Sequence, residues 1–300
     1  MSDAVNKTDA IDEVALDSDA LRALPEGSGV GRFVFRALKS GAETADAAIS
    51  LSRGLGRQAV RLTGDAAPTA QDSEVFRVLT VPFTDANESL SGQWAPFDQA
   101  QQWVAAAAKP DELPVNIMSF HGAHIAWTRR RMAIVSSPEK FASLTATLLE
   151  YAYCESELLA VEDTLADSWE QMERDLPVAF EFKDRDLATK RQLAERFQRV
   201  MLLGARLAKI GPYAHSPHHH PPTLASQVAE RLRERGRMAH RHEAIGDQLE
   251  VFEGVYELCG HRASEFTLAR GGNTLEWIII IMLLAQIILT VFDMLTATGT

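Results

Sequence analysis

Residues 275–295 read LEWIIIIMLLAQIILTVFDML and form a long apolar run near the C-terminus. Within Trp277–Phe292 only Gln286 and Thr290 are polar, so a helix here has no continuous polar face. A helix on the surface of a soluble protein would have one. A helix of this length spans about 30 Å, which matches the hydrocarbon core of a bilayer. The run therefore predicts a transmembrane helix over 275–295, and the alternative is a buried core helix.

Polar residues in and before the run suggest how the helix begins and what it contacts. Asn273 and Glu276 have the spacing of a capping box, which predicts a helix start after Gly271–Gly272 and a hinge at that glycine pair. Gln286, Thr290 and Asp293 share one helical stripe, which can join helices in the bilayer. In the alternative interpretation, Asp293 marks the membrane interface and the other two polar residues are tolerated.

The distribution of basic residues predicts the orientation of this helix. Arg262 and Arg270 precede the run, and no Lys or Arg follows it. By the positive-inside rule, the N-terminal bulk is cytoplasmic and residues 296–300 lie outside. The sequence thus predicts a single-pass, tail-anchored protein.

Composition narrows the possible partners. The 300 residues contain 30 Lys and Arg against 41 Asp and Glu, a formal net charge of −11, which argues against nucleic-acid binding. The two cysteines, Cys154 and Cys259, are too few for a disulfide framework or a four-ligand zinc site, and they suit a reducing compartment.

Two N-terminal segments have opposite charge. Residues 1–29 carry seven acidic residues against Lys7 and Arg22 and predict a disordered acidic tail. Residues 30–65 are basic, and apolar residues near helical spacing predict an amphipathic helical segment. Such a helix either lies on anionic lipid, as in a lipid-surface sensor, or simply faces solvent.

Residues 73–137 predict a small α/β unit that follows a linker at 66–72. A strand at 74–83 precedes a helix at 97–108, and residues 115–137 predict two strands with a turn at His121–Gly122, or with a second turn at Arg129–Arg131. His121 and His124 fall on opposite strand faces, which argues against a shared metal. Arg129–Arg131 are interpreted either as a solvent-exposed loop or as an anion-binding site.

Residues 138–270 predict a helical bundle of coiled-coil type. Apolar residues alternate by three and four over Phe141–Met172, Leu193–Leu207 and Met238–Cys259, which is typical of antiparallel helices that pack at shallow angles. Breaks are predicted at Asp175–Pro177 and at residues 211–222. Each of these apolar stripes, where one helix packs against another, is called a seam. Cys154 and Cys259 lie on or beside the seams and are interpreted as small buried residues.

Charged residues at the seams require partners. Glu155, Glu162 and His242 occupy predicted seam positions, where an unpaired charge is costly, so we expect a Glu–His or Glu–Arg contact between helices. The basic stretch 231–241 reads as a solvated helix face or as a surface for an acidic partner.

The histidine-rich loop is the cluster that most suggests a reactive or metal-binding site. His215, His218, His219 and His220 suffice in number for a transition metal, but the neighbouring prolines favour an extended loop without an ordered second shell. Common nucleotide, hydrolase and zinc-protease motifs are absent from the sequence. No catalytic, cofactor-binding or metal-binding residue is predicted.

The C-terminal region resembles the "required for meiotic nuclear division" family, also called Sad1-interacting-factor-like. The likeness is most specific over Leu275–Ile281 (LEWIIII), looser over 115–270 and absent before about residue 70. The chain departs from the family at Gln286, where an acid is usual, and in its histidine-rich loop. The resemblance implies an α/β unit, long helices and a terminal span without enzyme activity, and some mitochondrial relatives are linked to translation at the inner membrane.

The sequence therefore predicts a mostly α, α+β protein that acts as a membrane-anchored scaffold or adaptor. Its expected partners are the lipid bilayer and either another protein or a second copy bound through the helical seams. The alternative function is a membrane-bound, metal-dependent hydrolase that uses the histidine-rich loop.

Overall fold

The computed structural model describes Asp17 and residues 21–38, 48–63, 75–83, 95–106, 115–216 and 222–297. The fold is α+β and mostly helical, as predicted. The chain divides into two compact units. The first comprises Met1–Ala160 and Leu207–Glu243, and the second comprises Val161–Arg206 and Ala244–Thr300.

A seven-stranded sheet lies in the first unit, in the order β2-β3-β1-β4-β7-β6-β5. Its neighbouring strands are antiparallel except for β4 and β7, which are parallel. The strands are β1 (Gly29–Ala37), β2 (Ala48–Ser50), β3 (Arg57–Leu62), β4 (Phe76–Pro82), β5 (Asn116–Phe120), β6 (Ala123–Trp127) and β7 (Arg131–Ser136).

The amphipathic helix predicted over 30–65 is wrong, because the described part of this segment contains β1, β2 and β3. Phe33, Val34 and Phe35 are buried in β1, and aromatic and β-branched side chains suit a pleated surface better than a helix. Since β1 pairs with β4, the sheet begins at Gly29 and the boundary predicted at residue 73 is wrong too.

The disordered tail predicted over 1–29 is also wrong for the part that the structure describes. Leu24 is buried in the core beside α1 (Ala95–Ala105), and Leu21 packs against the same core. Asp17 is buried as well, and its carboxylate accepts a hydrogen bond from Trp103 Nε1. Apolar burial and this polar contact fix the segment despite its acidic composition.

The elements predicted within 73–137 are confirmed. β4, α1 and three further strands follow one another, and β5 and β6 meet at a turn in which both His121 (φ 47°) and Gly122 (φ 71°) are left-handed. Two such residues are typical of a type I′ hairpin. The second turn is present too, since residues 128–130 lead into β7.

Long helices make up the rest of the described chain. They are α2 (Phe141–Phe180), α3 (Lys190–Ala214), α4 (Leu224–Arg235) and α5 (Met238–Ala297), with short 3-10 turns at Arg53–Leu55, Pro138–Lys140 and Asp184–Thr189. Most predicted seam residues are buried, including Leu144, Leu148, Leu158, Leu165, Met172, Leu193, Val200, Leu207, Ile245, Leu249, Phe252 and Cys259.

Several predicted helix boundaries are wrong. α2 continues through Pro177 to Phe180, and α3 continues through Pro212 to Ala214. Only three residues follow Pro177 in α2 and two follow Pro212 in α3, so a bend at either proline redirects only the end of the helix, and buried Ala179 and Tyr213 hold those residues in place. α5 runs without a break through Gly271–Gly272, so the predicted hinge and helix start are wrong, whereas a break between α4 and α5 at Gly236–Arg237 was not predicted.

Candidate functional site

The C-terminal part of α5 exposes a long apolar surface. The buried seam of this helix reaches Ala263, after which the pattern changes. Every large apolar side chain from Leu275 to Leu289 is more than half exposed. An 18-residue window of the helix has a mean hydropathy of 1.9, and none of that window is buried. Among the described helices, α5 is the one that is long and apolar enough to cross a membrane.

This surface has few polar atoms. The hydroxyl of Thr290 donates to the main-chain oxygen of Gln286 (2.8 Å), so it is satisfied within the helix. Ala285 and Gln286 border a shallow depression that is otherwise lined by Ile278, Ile279, Met282, Leu283 and Leu289. The side chain of Asp293, the third member of the predicted stripe, lies outside the described part of the chain. A surface this apolar is removed from water only by lipid or by another apolar surface.

A buried carboxylate joins three helices of the second unit. Asp175 accepts hydrogen bonds from Arg196 on α3 (2.5 Å), from Tyr256 on α5 (3.2 Å) and from Gln171 (3.1 Å). The thiol of Cys259 contacts the Asp175 main-chain oxygen at 3.8 Å. Burial and the negative charge of Asp175 raise the pKa of Tyr256 to about 12. The sequence predicts a helix break at this point, but Asp175 follows seam residue Met172 by three positions, and this spacing indicates the burial that the structure shows.

The Glu–Arg contact predicted at a seam is confirmed in the first unit. Arg241 Nη1 on α5 lies 2.7 Å from Glu155 Oε1 on α2, and both side chains are about four-fifths buried. Burial and the nearby Glu155 charge raise the pKa of Tyr151 well above its usual range. The other two predicted seam charges, Glu162 and His242, are both partly buried. The pair ties α5 to α2, and the predicted solvated face at 231–241 is wrong for Arg241 and for Arg233, which pairs with Glu230 at 2.6 Å and is largely buried.

Three arginines lie in register across the sheet of the first unit. Arg32 on β1 is the cross-strand partner of Arg77 on β4, which in turn is the partner of Arg131 on β7. Arg77 is 4% exposed and Arg131 is 1% exposed, so the solvated loop predicted at Arg129–Arg131 is wrong for Arg131. Sequence reasoning missed this row because strand pairings, which bring the three residues together, are not visible in local patterns.

Asp17 and Trp103 complete this arginine row. The Arg131 guanidinium lies 4.8 Å from the centre of the Trp103 ring and donates to the Trp103 main-chain oxygen (3.1 Å). The Asp17 carboxylate lies 3.6 Å from Arg77 Nε. A guanidinium stacked on an indole and a carboxylate beside a second guanidinium are strong contacts when desolvated, so the row fastens α1 and the Asp17 segment to the sheet.

The histidines converge only in part. The rings of His215 and His242 lie 5.2 Å apart, and His242 Nε2 is 3.1 Å from the Leu207 main-chain oxygen. His218, His219 and His220 lie outside the described residues. In the described part of the chain, no three His, Cys, Asp or Glu side chains are placed to hold a metal ion.

Each polar cluster joins helices or strands of its own unit and so has a structural role. The apolar surface of α5 from Leu275 to Leu289 is exposed and packs against none of the described residues. It is therefore the strongest candidate functional feature of the described chain. No protein-family model matches the chain, and a comparison with curated proteins found none of significant similarity.

Proposed function

We propose that the protein is anchored in a membrane by the C-terminal part of α5 and acts as a scaffold or adaptor through its helical and α/β regions. The observation that carries the proposal is the exposed, predominantly apolar surface from Leu275 to Leu289, in which Glu276 and Gln286 are the polar residues. Burying that surface in lipid removes it from water, and the helix satisfies its own main-chain hydrogen bonds in hydrocarbon.

The basic residues before the span support a cytoplasmic location for the N-terminal bulk. Arg262 and Arg270 lie on α5 upstream of Leu275 and are both exposed. Arg262 pairs with Glu265 (2.8 Å) and Arg270 pairs with Asp184 (2.5 Å), so this part of the second unit is polar. Basic residues close to a span favour the cytoplasmic side, and acidic neighbours count for little in that rule.

The polar clusters support a structural rather than a catalytic role. Asp175, Glu155 and the arginine row each connect secondary-structure elements through side-chain or main-chain contacts. The resemblance of Leu275–Ile281 to the "required for meiotic nuclear division" family also favours a membrane-tethered assembly factor without enzyme activity.

Carbonate extraction of membranes from cells that express the full-length chain tests the anchor. We expect the wild-type chain to stay in the pellet. Replacing both Ile281 and Leu284 by Arg places two charges near the middle of the span, at about 2.5–3.5 kcal/mol each, and should release the chain.

The matched control replaces Val251 and Leu268, two exposed apolar residues of α5 upstream of the span, by Arg. This control variant should remain in the pellet. Extraction of the wild-type chain by carbonate would refute the anchor, and protection of the N-terminal bulk from protease added on the cytoplasmic side would refute the orientation.

A further inference from the structure

We infer that α5 pairs with α5 of a second copy of this chain inside the bilayer, and that the Gln286 side chains of the two copies hydrogen-bond to each other. The inference rests on the proposed membrane span and names the partner of that span. It is carried by the depth of Gln286, the residues that share its face, and the chemistry of the amide group.

Gln286 lies at the least favourable depth for a polar group. Leu275 and Leu295 bound the apolar run, so its midpoint is residue 285. At about 1.5 Å of rise per residue, Gln286 lies within about 2 Å of the bilayer centre. Its amide has two N–H donors and a carbonyl acceptor, and hydrocarbon offers a partner to neither.

The helix itself does not satisfy this amide. Gln286 is exposed, and its side chain has no hydrogen-bond partner among the described residues. The neighbouring Thr290 hydroxyl is directed to the Gln286 main-chain oxygen. A polar side chain within a span commonly pairs with a polar group on another helix.

The face that carries Gln286 has the pattern of a helix–helix contact. Ile279, Met282, Gln286 and Leu289 follow spacings of three, four and three, which is the repeat of a left-handed pair of helices. Ala285 lies beside Gln286 at the shallow depression on this face. A small residue at that point lets a second helix approach closely.

A second copy of the chain satisfies the amide better than an arbitrary helix. Copies that insert by the same route have the same orientation, so residue 286 lies at one depth in both. A two-fold axis along the membrane normal places identical residues opposite each other. The carbonyl of each Gln286 can then accept from the amide N–H of the other, which gives two reciprocal hydrogen bonds.

Energy transfer between differently labelled copies measures the pairing. The full-length chain, carrying a donor or an acceptor fluorophore at its N-terminus, is reconstituted in phosphatidylcholine vesicles over a range of protein-to-lipid ratios. We expect transfer for the wild type that falls on dilution with lipid. Gln286→Leu should weaken self-association by about 5- to 30-fold.

Two further variants separate hydrogen bonding from other effects. Gln286→Asn keeps the amide and should retain most of the association. Thr290→Val removes a hydroxyl that is already satisfied within its own helix and should leave association unchanged.

The same vesicles are washed with carbonate before each measurement. Chains that remain in the vesicles but show no energy transfer, or equal transfer in wild type and Gln286→Leu, would overturn the pairing and leave the anchor intact. Chains that are washed off would overturn both proposals.

Discussion

Leu249 and Leu258 allow a matched test of the packed face of α5. Both are leucines on one helix of the second unit, but Leu249 is 3% exposed and Leu258 is 51% exposed. Truncation of a buried leucine removes apolar contacts and leaves a cavity, so Leu249→Ala should lower the free energy of unfolding by about 2–5 kcal/mol. Leu258→Ala should change it by about 0.5 kcal/mol or less.

Urea unfolding of the full-length chain in a mild detergent, followed by tryptophan fluorescence, measures the difference. Trp169 packs edge-on against Phe252 at 4.9 Å, and Phe252 follows Leu249 by one helical turn, so this indole reports on the region around the substitution. With a denaturant slope of about 3 kcal/mol per molar, a loss of about 3 kcal/mol lowers the midpoint by about 1 M. Equal midpoints for the two variants would refute the packing described for α5.

Two further predictions concern two glycines and the tyrosines. Gly236→Ala should lower the free energy of unfolding by about 1–3 kcal/mol, because the added Cβ would lie 2.7 Å from the Tyr151 hydroxyl oxygen. Gly254→Ala is the control: its added Cβ would meet nothing within 4 Å, so it should raise the free energy of unfolding by about 0.8–1 kcal/mol, and similar thermal midpoints for the two variants would contradict this. Burial raises the pKa of all four tyrosines above the ordinary value of about 10 (Tyr151, Tyr153, Tyr213 and Tyr256). The native protein should therefore show little tyrosinate absorbance at pH 10, and half-ionised tyrosines at that pH would contradict this. The free energy of unfolding should fall as the pH rises from about 10 toward 12, because the tyrosines of the unfolded chain ionise first.

The helical seams could be predicted because their signal is local and repeated. Residues such as Leu144, Leu148 and Leu158 recur on one helix face over many turns, and burial selects apolar side chains at each turn. The Glu155–Arg241 pair followed from the same pattern, since a charge on a seam requires an opposite charge nearby.

The sheet before residue 65 could not be predicted because its stability depends on distant partners. β1 lies between β3 and β4, and its Arg32 and Arg36 are four residues apart, a spacing that places them on one side of a strand as well as on one side of a helix. Asp17 and Arg131 were missed for a related reason: local patterns place charged residues in solvent, and only the folded chain brings Trp103 between them.

Because α5 is one continuous helix through Gly271–Gly272, the direction in which Gln286 lies around the helix axis can be compared with the direction of the buried seam. At about 100° per residue, Gln286 lies about 160–180° around the helix from Phe252 and Cys259, which are both buried. Glu250 and Glu257 lie within about 20° of the Gln286 direction, and both are exposed. Two copies joined at Gln286 therefore keep their packed seams directed away from each other, so pairing in the bilayer does not compete with the contacts of α2 and α3. The like charges of Glu250 and Glu257 on the shared side repel, which confines the close contact between the two helices to the apolar run.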